Sequence, residues 1–102
     1  MLIAVAILLT WSDAINPSSA TYHVWRAAGV CSEFSRFEKI TAAPLTVKTY
    51  QDAPGPGSWC YRVTALVGAI ESAPSAAVTA LVQPAAPTGL TVAPVPVASS
   101  PP

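Results

Sequence analysis

The stretch that most constrains the fold is residues 58–67, SWCYRVTALV. Trp59, Tyr61, Val63 and Ala65 fall two apart, with Cys60, Arg62 and Thr64 between them. A period of two, with large aromatic and branched residues on one phase, predicts a strand that buries one face. Gly68 then marks a reversal, and residues 77–82 read as a last strand.

Upstream, the same rhythm recurs. Over residues 5–11, Val5, Ile7, Leu9 and Trp11 alternate with Ala6, Leu8 and Thr10, which predicts a strand with one deep face. The run MLIAVAILL has the apolarity of a signal peptide but no basic segment before it, and it is too short to span a bilayer as a helix. Asn16-Pro17-Ser18-Ser19 is a turn cluster. Residues 21–26 form the next strand, with Tyr22 and Val24 inward and His23 and Trp25 outward. Residues 34–41 read as an edge strand anchored by Phe37 and Ile40, whose charges Arg36, Glu38 and Lys39 blunt edge pairing. In residues 45–51, Leu45 and Val47 take the inward phase but Tyr50 falls on the other, so a bulge or change of face is expected. Residues 52–57, DAPGPG, are a turn. No stretch shows a helical period with a cap at each end. Short strands separated by turns predict an all-β sandwich.

Composition limits what such a fold is for. Charged residues make up only 10% of the 102 and the net charge is zero, against a usual charged share of about 25%. A nucleic-acid or anionic-membrane surface calls for a basic patch, and none is present. A weakly charged surface is also poor at keeping molecules apart, which points to neighbours covering part of it. Six of the 11 prolines stand at or after Pro84. The chain therefore divides into a folded part, residues 1–82, and a Pro/Ala-rich extended tail, residues 83–102, with a strand-like island at Thr88, Gly89, Leu90, Thr91 and Val92.

No cofactor or metal is expected. Two cysteines and the lone His23 do not make a structural zinc site. Asp13, Glu33, Glu38, Asp52 and Glu71 have no pairing spacing, His23 has no evident nucleophile beside it, and no phosphate-binding loop follows a strand. These absences predict a non-catalytic chain. Asn16-Pro17-Ser18 is closed to glycosylation by its proline, and there is no Arg-Gly-Asp. Cys31 and Cys60 are open to two readings, one disulfide or two separate thiols.

Taken together, LLTW (8–11), YHVWR (22–26), TYQD (49–52), PGPGSWCYRVTAL (54–66) and ESAPS (71–75) resemble a fibronectin type III domain, closest to those of bacterial secreted and surface proteins. The resemblance covers residues 7–82. It implies an immunoglobulin-like antiparallel sandwich whose core holds Trp11, Tyr22, Val24, Trp59, Tyr61 and Val63. Trp59 stands at the family's tyrosine-corner position, where it brings an N–H in place of a hydroxyl. The family topology makes the Tyr22 and Trp59 strands antiparallel neighbours, which sets Cys60 near Ala27 and implies a Cys31–Cys60 bridge.

The resemblance starts at the family's second strand, and PAAPTGLTV (84–92) is similar to the start of such a domain. A fragment or linker of a tandem array is one explanation. Strand addition is another, with residues 88–92 filling the gap beside the first strand of a neighbour or of their own chain. Residues 83–87 span at most about 18 Å, which strains self-insertion. The implied function is a structural or interaction module of a secreted or cell-surface protein, partnered by other domains or copies of the chain. Two alternatives follow. One is a filament subunit donating residues 88–92. The other is a carbohydrate- or protein-binding module using His23, Trp25 and Arg62 as a face, with a Trp25–Arg62 cation–π pair as the plainer reading of that patch.

Overall fold

The computed structural model describes residues 6–96. Its strands are β1 (Ile7–Thr10), β2 (Thr21–Ala28), β3 (Glu38–Lys39), β4 (Thr49–Asp52), β5 (Gly57–Val67), β6 (Ile70–Glu71) and β7 (Val78–Val82), with one 3-10 turn at Phe34–Arg36. The fold is all-β, with no α-helix among the described residues. Val5, the first residue of the alternating N-terminal run, lies outside them, as do the rest of residues 1–5 and residues 97–102.

The alternating run becomes β5, the longest strand, and the other strands of the larger sheet are arranged around it. It pairs antiparallel with β2 over eight positions, including Tyr22↔Ala65, Val24↔Val63, Arg26↔Tyr61 and Ala27↔Cys60. On its other edge β5 takes β6 at Leu66 and Val67, then β7 from Gly57 to Tyr61. The sheet order is β3-β2-β5, and the sheet curls like half a barrel. β1 and β4 form a separate antiparallel pair, Ile7↔Asp52 to Thr10↔Thr49.

Between β6 and β7 the ladder along β5 continues without a regular strand. Pro74 brings no N–H, and two serine side chains take over. Ser72 Oγ accepts from Ala65 N–H and Ser75 Oγ from Val63 N–H, each at 2.9 Å. Their own N–H groups donate to the carbonyls of Ala65 and Val63 at 2.8 and 2.9 Å.

The β1–β4 pair packs on the larger sheet through a core of Leu9, Val24 and Tyr61, closed by Ile7, Trp11, Leu45, Tyr50, Trp59 and Val63. Trp11 meets Tyr22 edge-on, ring centres 5.6 Å apart. Of the six expected core residues, Tyr22, Val24 and Tyr61 are buried, whereas Trp11, Trp59 and Val63 are only half-buried.

Three expectations need correction. Residues 34–41 are not one strand. A strand would send Phe34 and Phe37, three apart, to opposite faces. A tight turn eclipses i and i+3, and the two rings stack at 5.9 Å. Only Glu38–Lys39 then pairs with β2. Residues 45–51 are not one strand either: Leu45 bridges Tyr22, bends follow at 46–48, and β4 begins at Thr49. That break in phase lets Leu45 and Tyr50 both reach the core and leaves Val47 exposed.

The third correction concerns His23, which points away from the main core yet is only 6% exposed. Thr41 covers it. The Thr41 hydroxyl lies 2.7 Å from His23 Nδ1 and accepts from Val24 N–H at 3.2 Å. The outer face of β2 and β5 is not solvated because the chain between β2 and β3 folds back over it. Ala27, Phe37 and Cys60 form a second core there, flanked by Trp25, Phe34 and Cys31.

Candidate functional site

Period-two alternation puts Arg26 on the inner face with Tyr22 and Val24, and a cation there needs a partner. Asp52, the last residue of β4, supplies it. Arg26 Nη1 donates to Asp52 Oδ1 and Oδ2 at 3.1 and 3.0 Å. Tyr61, directly across from Arg26 and 1% exposed, donates its hydroxyl to Asp52 Oδ2 at 2.7 Å. The guanidinium lies over the Trp59 ring, 4.9 Å from its centre. Trp59 Nε1 donates to the Gly55 carbonyl at 3.0 Å, so an indole closes the turn before β5. Burial, then the bond to Asp52, pushes the Tyr61 phenol well above its ordinary range.

The other end of the inner face has the same construction. Tyr22 donates its hydroxyl to Asp13 Oδ2 at 2.9 Å, and Asn16 Nδ2 donates to that oxygen at 2.7 Å. Asp13 Oδ1 accepts from the Ile15 and Asn16 N–H groups. These bonds, the Asn16 backbone N–H foremost, hold the Asp13 carboxyl far below its ordinary value of 3.8. A depressed pKa contributes stability above the unfolded value and loses it as pH falls below about 4. We expect Asp13→Asn to flatten the acid limb of stability, read as the urea midpoint between about pH 5 and pH 2.

Each aspartate leaves a signal in the sequence. Asp13-x-x-Asn16 is a local pattern in which Asp accepts from the N–H groups just downstream. The inward phase of Arg26 called for an acid on the facing sheet.

His23, Trp25 and Arg62 do not form an open face. Trp25 is directly across from Arg62, but the arginine turns to other partners. Its nitrogens donate to the Cys31 and Ser75 carbonyls at 2.6 and 3.1 Å, and its guanidinium lies over Phe37, not Trp25. The Trp25 ring meets Phe34 edge-on at 4.9 Å, with Lys39 Nζ 6.0 Å from its centre. Trp25 Nε1 donates to Thr64 Oγ1 at 3.0 Å, and Thr64 donates on to Glu71 at 2.6 Å. Trp25 is therefore a packing residue. We expect Trp25→Ala to cost about 2–4 kcal/mol, seen as a lower melting temperature; a pure binding residue would leave it unchanged.

Cys31 and Cys60 are joined, with Cα atoms 5.5 Å apart. Ala27↔Cys60 pairing brings the outer face of β5 beside the loop that carries Cys31. The bridge fastens that loop, and with it Phe34 and Phe37, over the outer face.

The remaining feature is a groove of about 250 Å³ between β1 and residues 72–78. Leu9, Trp11, Tyr61, Val63, Ala65 and Val78 are among its walls, with Asp13 and Arg62 the only charged lining residues. Residues 88–92 lie outside any strand; Leu90 and Val92 are 97% and 94% exposed. Among the described residues no three His, Cys, Asp or Glu side chains cluster as metal ligands, and no helix is long and apolar enough to cross a membrane. In comparisons with known proteins, no family model matches the chain and no curated protein matches it.

Proposed function

We propose that this chain is a non-catalytic β-sandwich module of the fibronectin type III kind, part of a secreted or cell-surface protein, that spaces, orients or joins neighbouring domains or copies. The observation that carries this reading is the strand pairing: β1 with β4 on one side, β3-β2-β5-β7 on the other, with an apolar core between them. Asp–Tyr bonds at both ends of that core resist shear between the layers. The disulfide supports an oxidising compartment. A carbohydrate- or protein-binding role for the Trp25 face has less support, because Trp25 and Arg62 are committed to internal partners.

Single-molecule stretching from the two ends tests the mechanical role. We expect one discrete unfolding event per chain. The bridge shields a segment with a sequence separation of 29. At roughly 3.5 Å per residue, oxidised chains should release about 100 Å less length than reduced ones. Smooth extension with no unfolding event would overturn the reading.

A further inference from the structure

We propose that the groove beside β1 takes residues 88–92 of a second copy of this chain as an added strand, running antiparallel to β1. The inference rests on the module reading and names its partner. Four observations carry it.

The first is an unfilled edge. Among the described residues β1 pairs only with β4, so its other edge offers a row of unpaired backbone groups. The second is a matching wall. The groove is apolar and lies over the main core, and Trp11, which lines it, has a buried Nε1 with no hydrogen-bond partner. A carbonyl on an incoming strand is the acceptor that indole lacks.

The third is an unused segment of the right chemistry. Leu90 and Val92 fall two apart and are almost fully exposed. No charged residue follows Glu71, so the segment itself brings no ionised side chain into the groove. Gly89 has φ 74°, which interrupts a regular strand. Resetting it on docking is cheap, since glycine populates both signs of φ.

The fourth is direction. β7 ends at Val82, opposite Gly57, whereas the groove reaches Ala65 and Ser72 toward the other end of β5. Eight residues of strand separate Gly57 from Ala65, roughly 26 Å. The connector 83–87 spans at most about 18 Å, so it cannot carry residue 88 to that far end. The chain's own segment could enter only parallel to β1. A neighbour entering from the Asp13 end pairs antiparallel, the more stable arrangement. Donor and acceptor then sit at opposite ends of the molecule, so the contact is head-to-tail and joins successive copies into a ring or a filament.

The test uses the full oxidised chain and the double variant Leu90→Asp, Val92→Asp, whose changes lie in the exposed tail and spare the fold. We expect the light-scattering mass of the wild type to rise with concentration to at least twice the monomer, and the variant to remain monomeric. The variant keeps its groove, so mixed in equal amounts it should cap wild-type chains and lower their mean mass. A photo-crosslinker in place of Leu90, in a mixture of isotopically labelled and unlabelled chains, should join different molecules at Trp11, Val63 or Val78. A wild type that stays monomeric, multimers unchanged by the double variant, or crosslinks confined to one molecule would each overturn the proposal. A monomer that still unfolds in one mechanical event leaves the module reading standing.

Discussion

Asp52→Ala is expected to be strongly destabilising. It leaves the Tyr61 hydroxyl without its acceptor and Arg26 without its counter-charge, at side-chain exposures of 24% for Arg26 and 11% for Asp52. Removing one partner of a fully buried pair costs about 3–5 kcal/mol. Some solvent reaches this pair, so we expect about 2–4 kcal/mol, or a fall in melting temperature of about 10–25 °C for a domain this size. Asp52→Asn keeps an acceptor for Tyr61 but drops the charge, and should fall between wild type and Asp52→Ala. If the two variants were equally mild, the bond would be a surface contact. The same site gives an alkaline signature. The folded Tyr61 pKa lies above its unfolded value of 10.0. The folded state therefore holds its proton longer, and stability is complete below pH 10 and declines as pH rises beyond it. Tyr61→Phe should remove that part of the decline.

Reducing the Cys31–Cys60 bridge is expected to have an effect of comparable size. It closes a loop of sequence separation 29, for which the chain-entropy model gives about 3–4 kcal/mol. Reduction leaves both sulfurs in place, so it isolates the cross-link. The double variant Cys31→Ala, Cys60→Ala also loses packing volume at Cys60, which is 0% exposed, and should lie lower still. Thermal melts with and without reductant, beside the double variant, measure both quantities. Equal melting temperatures for oxidised and reduced chains would show that the loop is held by Phe34, Phe37 and the Arg62 bond to the Cys31 carbonyl, and that the bridge adds nothing. We expect hydrogen exchange after reduction to rise first in the segment between β2 and β3, because that segment covers the outer face only while it is fastened.

The inner face was legible because its signal is local. Trp59, Tyr61 and Val63 repeat with the period of the pleat, and so do Tyr22 and Val24, whatever the rest of the chain does. The outer face was not legible for the same reason. His23, Trp25, Arg62 and Thr64 sit on the alternate phase, and alternation alone assigns that phase to water. They are covered because residues 29–41 return across them, and that return depends on contacts made far along the chain: Thr41 to His23, Cys31 to Cys60, Phe37 under Arg62. A spacing of three between Phe34 and Phe37 was the one local hint of it. The roles of the two aspartates are not legible in carboxylate spacing, because each serves a different tyrosine at a different end of the core.

The sequence by itself determined the strand rhythm of the longest strands, the turns, the all-β class and which aromatic residues take the inward phase of their strands, because these follow from side-chain periodicity and from the backbone habits of proline and glycine. Only the tertiary structure decided the second core, the partners of Arg26, Arg62 and Trp25, and the lining of the groove beside β1. Those depend on which segments meet across the fold, and burial is a property of the neighbour that arrives.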